Sequence, residues 1–162
     1  MAQIAERAGV AVGTLYNRFK DREALLEALL FERRADLLAK LDAQIASLSQ
    51  AGFREQLEGF FGTLFSHFQE HRAFLRLVFA REVGKQEKRE QMSRAMLERV
   101  EKVLALGRAE GLLREDPDGW LTVFLMSAAK GVLQREYYGL PAVEPASGAK
   151  ALVRLFIEGA GP

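Results

Sequence analysis

The chain has 162 residues, 49% of them hydrophobic and 28% charged, with a formal net charge of +1. That is enough for one ordinary domain or a small head on a larger body, and too balanced in charge to attract nucleic acid except through a local patch. The absence of cysteine excludes disulfides, zinc–thiolate sites, iron–sulfur clusters and thiol nucleophiles. Residues 1–7 form no long apolar run and do not read as a signal peptide. The apolar-rich stretch 120–129 is too short for a membrane span, so a cytoplasmic, membrane-free protein is expected.

Taken in chain order, residues 1–20 hold two very short helical pieces, Ile4 to Ala8 and Val12 to Phe19, separated by Gly9-Val10-Ala11. A glycine at a tight turn between steeply crossing helices supplies a positive φ, and the small Ala5 and Ala8 permit close approach. Ile4, Val10, Leu15 and Phe19 are expected to form a miniature core. Val12, Gly13, Thr14, Tyr16, Asn17 and Arg18 are left on the outward face of the second helix. Asp21 reads as the N-cap of a helix opening at Arg22-Glu23-Ala24, and the stripe from Leu25 to Ile45 carries that helix to about Ser47. Further stripes run through Phe53, Leu57, Phe60, Phe61, Leu64, Phe65 and Phe68, then Leu75, Val78 and Phe79, then Met92, Met96, Leu97, Val100, Val103 and Leu104.

Gly111 reads as a C′ glycine, and Asp116-Pro117 as an N-cap followed by proline at the first helical position. That helix is expected to carry Trp120 to Tyr138 and to stop at Gly139-Leu140-Pro141, with a last helix from about Ser147 to Glu158 after a loop. No segment alternates with period two. The fold class predicted is all-α, with a short helix-turn-helix head joined by a long helix to a helical regulatory and dimerisation domain. The domains are residues 1–46 and 47–162.

Taken singly, Leu15, Tyr16 and Phe19 read equally well as core, and Lys20, Asp21 and Arg22 as a solvated turn. Their order carries more. The run IAERAGVAVGTLYNRFKDREALLEALL resembles the DNA-binding signature of TetR-family regulators, and GRAEGLLREDPDGW resembles an element before the penultimate helix of many members. The resemblance implies that Thr14 meets a phosphate or base edge and that Tyr16 packs on the sugar–phosphate backbone. Gly13 and Asn17 lie where base-edge readers are found, Arg18 reaches a guanine or a phosphate, and Lys20 with the amide end of the helix beginning at Arg22 clamps a phosphate; Val12 and Arg22 complete the DNA-binding set. Ala11 stands where serine is common, and Arg22 where lysine is usual. Family heads begin with a longer helix, whereas this sequence opens inside the second, at Met1; a head lacking its first helix and weak on DNA is the expectation. A helical dimeric ligand-binding or interaction module that no longer binds DNA is the alternative.

The family further implies a homodimer on a palindromic double-stranded operator, acting as a repressor released by a small hydrophobic ligand. Phe124, Ser127, Ala128, Gly131 and Val132, with Leu152, Leu155, Phe156 and Gly159, have the small and apolar spacing of close helix contacts. A buried intramolecular helix would look the same, and the family tips the reading toward an interface. Phe61, Phe65, Phe68, His67, His71, Met96, Trp120 and Phe124 are the expected pocket residues, drawn from a middle region also rich in Phe60, Phe74, Phe79 and Met92. His67-Phe68-Gln69-Glu70-His71 matches the inverted zinc-peptidase pattern, but nothing in the sequence selects Glu82 or Glu136 as a third ligand. Phosphate-loop, dinucleotide and nucleophile-elbow motifs are absent. No enzyme activity, cofactor or metal is assigned.

Overall fold

A computed structural model describes residues 1–72 and 86–160. Among these every regular element is a helix, as the periodicity predicts: α1 (Ala2–Ala8), α2 (Val12–Arg18), α3 (Arg22–Ser47), α4 (Phe53–Glu70), α5 (Gln86–Ala109), α6 (Trp120–Leu133) and α7 (Pro145–Ala160). A 3₁₀ turn spans Arg135–Tyr138. The stripe through Leu75, Val78 and Phe79, together with Phe74 and Glu82, lies outside the described residues. The chain forms two compact units, Met1–Asp36 and Leu37–Pro162.

The first unit holds α1, α2 and the opening of α3. Gly9 takes φ 66° and ends α1, its amide bonding Glu6 O at 3.2 Å while the Val10 amide bonds Ala5 O at 3.0 Å. An L side chain there would strain the turn, so the glycine has a conformational reason. Phe19, extended at φ −131°, stops α2. Asp21 then restarts the helix by accepting the Ala24 amide on Oδ1 at 2.8 Å, the N-cap bond expected from sequence.

The second unit is built around α4. Phe53, Leu57, Phe60, Phe61, Leu64 and Phe65 are all buried on it, and α4 packs most extensively against α7 and then α5. Leu37 and Leu41 of α3, Met96, Val100, Val103 and Leu104 of α5, Leu121, Leu125 and Ala129 of α6, and Ala149, Leu152 and Val153 of α7 complete one core. Each large side chain so buried is worth about 1.5–3 kcal/mol.

The ends of these helices show what the sequence hid. The α4 N-terminus has no local side-chain cap; the Glu110 carboxylate, from just past α5, accepts the Phe53 amide at 3.0 and 3.2 Å. Gly111 does close α5 with φ 69°, and the Leu112 amide returns to Gly107 O at 2.9 Å. Helix α6 begins at Trp120 rather than Pro117, because Gly119 adopts φ 72° and interposes a turn. Asp116 still caps it, reaching the Leu121 amide with Oδ2 at 2.6 Å.

The same helix stops at Leu133, where the Gln134 amide is shared between Lys130 O and Gly131 O and the chain tightens into the 3₁₀ turn. Helix α7 starts two residues earlier than expected, with Pro145 in its first position and Glu144 accepting the Ala146 and Ser147 amides at 2.9 and 2.7 Å. Hydrogen bonds from the Ser147 side chain and then from those two amides hold the Glu144 carboxyl below the ordinary carboxylate range.

Two helical glycines differ in what surrounds them. A Cβ at Gly107 would lie 2.9 Å from the Leu113 side chain and from the buried Phe53 ring, whereas at Gly62 nothing lies within 4 Å. In urea denaturation, Gly62→Ala is expected to gain up to about 1 kcal/mol from helix propensity. Gly107→Ala is expected to lose about 1 kcal/mol, since overpacking outweighs the same gain.

Candidate nucleic-acid interface

Helix α2 is seated by one small side chain and one buried apolar anchor, while Ala8, expected to share in the close approach, is exposed. Ala5 of α1 is fully buried, Leu15 of α2 is buried, and Ile4 and Phe19 are half-buried around them. Val10 departs from the expected miniature core and is 43% exposed. The turn closes through its backbone amide on Ala5 O and leaves the side chain outside.

With Leu15 turned in, the rest of the helix faces out. Val12, Gly13, Thr14, Asn17 and Arg18 are exposed, as are Lys20 and Arg22 just beyond it. Tyr16, equally readable as core in the sequence, is 52% exposed. The segment from Val12 to Arg22 carries Arg18, Lys20 and Arg22 against the single carboxylate of Asp21, which is occupied with the Ala24 amide. A nearly neutral chain therefore has a local cationic surface with a phenol, a hydroxyl and a carboxamide set among the charges. Such a surface can meet phosphates through its cations and read bases through its neutral polar groups.

The α2 N-terminus is less well finished. Ala11 has the extended N-cap conformation, φ −64° and ψ 142°, but no side chain that can bond the first-turn amides. Serine, common at this position in the family that the sequence resembles, would fit without backbone change.

In the second unit, α6 and α7 pack together. Trp120 and Phe124, with ring centroids 6.0 Å apart, are 58% and 63% exposed, and Val123 beside them is also uncovered. Ala128 is exposed, Gly131 and Val132 are intermediate, Leu155 on α7 is 64% exposed, Phe156 is intermediate and Leu152 is buried. Of the residues expected around a ligand, Phe61, Phe65 and Met96 are packed in the core, Phe68 and His71 are half-buried, and only His67 borders an open cavity of about 550 Å³.

Charged and polar side chains ring that cavity. Lys40, Glu55, Glu58, Thr63, Ser66, Glu70, Glu144 and Lys150 stand around it, and Lys40 bonds Glu70 at 3.2 Å. Sequence patterning passed over it, since stripes of apolar residues locate cores and say nothing of where polar faces of α3, α4 and α7 converge. The Arg99–Asp42 pair, at 2.9 and 2.6 Å, and the Glu101–Thr122 bond at 2.8 Å were equally invisible. Among the described residues no helix is long and apolar enough to cross a membrane.

Comparison with known proteins bears on both units. A family described as "Bacterial regulatory proteins, tetR family" matches residues 1–29, and one described as "Tetracyclin repressor-like, C-terminal domain" matches residues 54–134. No curated protein matches the chain. Among solved structures, a protein of unknown function from Rhodococcus sp. RHA1 superposes with a TM-score of 0.77 at 19% identity, covering 99% of this chain and 84% of that one.

A bacterial regulatory protein in the tetR family from Rhodococcus RHA1 gives 0.76 at 17% identity, with 99% and 85% covered. A tetR family transcription regulator from Shewanella sp. PV-4 gives 0.70 at 22%, with 99% and 86% covered. At these identities the three structures speak for the fold.

Filling the vacant cap is a direct check on how α2 is held. Ala11→Ser is expected to slow amide exchange in α2, raising its local opening free energy by about 1 kcal/mol, while Asp21→Ala lowers that of the first turn of α3 by a similar amount.

Proposed function

The chain belongs to the tetR family of bacterial regulatory proteins, and from that premise we propose that it is a ligand-responsive transcriptional repressor, acting as a homodimer on a palindromic operator. One observation carries the proposal: α2 projects Val12, Gly13, Thr14, Tyr16, Asn17 and Arg18 outward from a glycine turn, with Lys20 and Arg22 beside them. In this reading Lys20, Arg22 and Tyr16 hold the phosphate backbone. Thr14, Asn17 and Arg18 read base edges, with Val12 and Gly13 keeping the approach close.

The uncovered apolar face of α6 and α7 supports the dimer. Trp120, Val123, Phe124 and Leu155 would sit in water in a monomer, and a second copy placing the same face against them removes that cost. Ala128, Gly131 and Val132 allow the α6 backbones to approach, while Leu152 and Phe156 back the contact from α7. A two-fold dimer presents two recognition helices to two half-sites, as a palindrome requires.

For induction, Phe61, Phe65, Phe68, His67, His71, Met96, Trp120 and Phe124 are proposed to accept a small hydrophobic ligand. Phenylalanine and methionine supply the adaptable apolar surface such a ligand needs. A ligand that favours the conformation unable to span both half-sites draws the population off DNA. No catalytic step is assigned to any residue.

Fluorescence anisotropy with the DNA upstream of the chain's own gene tests the DNA-binding half. The wild type is expected to prefer that DNA to random sequence. Lys20→Ala should weaken all DNA alike and flatten the log–log salt dependence by about one. Asn17→Ala should cost roughly 1–3 kcal/mol on the preferred site and relax its selectivity. Equal affinity of the wild type for every sequence would overturn the proposal.

The dimer has its own test in sedimentation equilibrium. The wild type is expected at twice the 18.1 kDa chain mass, and Phe124→Glu or Leu155→Glu should shift it toward monomer and reduce operator affinity. A monomeric wild type would sink the interface.

A further inference from the structure

The His-x-x-x-His spacing at the end of α4, counted above among the proposed pocket residues, has no part in DNA binding, in the dimer face or in any catalytic step, and it brings two imidazoles together. Residues four apart on a helix share one face, so α4 puts His67 and His71 one above the other. Their ring centroids are 4.7 Å apart, with the rings inclined at 73°, and a nitrogen of each lies within 4.8 Å of the other. Two zinc–nitrogen bonds of about 2.0–2.1 Å span that gap after a small rotation of either imidazole.

We propose that His67 and His71 bind a divalent transition-metal ion of the zinc, nickel or copper(II) class. The donor set selects the class: imidazole nitrogen suits these ions, and a chain without cysteine offers no thiolate to soft ions. His67 is 4% exposed and sits edge-on to Phe68 at 5.9 Å, so its ring is held in place before any ion arrives. His71 is half-buried at the C-cap of α4, where its backbone has left the helix and its side chain has room to adjust.

Access would come through the open cavity beside His67. His67 forms part of its wall together with Thr63, Ser66 and Glu70, and the opening to solvent lets water and a hydrated ion reach the imidazole. Two protein nitrogens leave positions for water or oxygen donors, so the site is one of moderate affinity that loads and empties with ion concentration. The ion would tie together consecutive turns at the end of α4 and resist fraying there.

Titration calorimetry of the metal-free full chain with zinc chloride, and with magnesium chloride as control, tests this. One zinc per chain and no comparable magnesium binding are expected, with a rise in Tm on adding zinc. His71→Gln, placed at a cap position that any residue can occupy, should fold with an unchanged metal-free Tm. It should lose more than about tenfold in zinc affinity, along with the zinc-dependent Tm rise. His67→Gln should do the same if it folds, and His71→Gln decides the matter if it does not. Absence of zinc binding by the wild type at micromolar concentrations, or wild-type affinity in His71→Gln, overturns the proposal.

Discussion

The close passage between the Phe53 ring and Gly107 sets the distance between α4 and α5, and much of the second unit follows from that distance. With no side chain at 107, the ring of the first α4 residue lies flush against the α5 backbone and is fully buried. This proximity puts Glu110 within reach of the Phe53 amide, so one contact both seats the aromatic ring and caps the helix that carries it. Helix α4 can then bury Leu57, Phe60, Phe61, Leu64 and Phe65 between its neighbours, and its remaining polar side meets Lys40, Glu144 and Lys150 around the cavity. Packing density leaves little slack in such an arrangement; a methyl group at 107 would be felt along the whole of α4.

The first unit rests on much less. Its buried side chains are few, Ala5, Leu15 and Leu30, and the orientation of α2 depends on the left-handed Gly9 and on Leu15. The proposed recognition role suits this economy, because a face meant to read DNA has to stay in water when DNA is absent. The residues proposed to touch the operator are therefore the ones whose exposure contributes nothing to folding. Tyr16 shows the point: its ring could have filled a core, and it stands outside.

Local signals in the sequence proved legible wherever the chain solved its problem locally. Asp21 caps α3 three residues on, Gly9 and Gly111 take the positive φ that ends a helix, and the apolar stripes of α4, of the later half of α3 and of α5 face the core, whereas Leu29 and Leu97 stand exposed. Legibility failed where the partner is distant or the competition is close. Glu110 caps a helix that begins 57 residues earlier. Gly119 displaced the start of α6 because an Asp-Pro pair is equally at home in a turn. Glutamate is a poor guess for an N-cap, yet Glu144 serves α7. For the candidate site, the outward set on α2 could be drawn from helical geometry and the ordered motif. The cavity could not, since it exists only where three helices meet.

The remote cap on α4 also has a bearing on the order in which the second unit assembles. A cap supplied by Asp21 exists as soon as its own helix turn forms, on the time scale of helix nucleation. The one supplied by Glu110 exists only after α5 has docked, so the opening turn of α4 is secured late, on the native side of the folding barrier. Substitution of Glu110 would accordingly leave the folding rate almost untouched and accelerate unfolding, making this carboxylate a determinant of how long the folded body persists rather than of how fast it is reached.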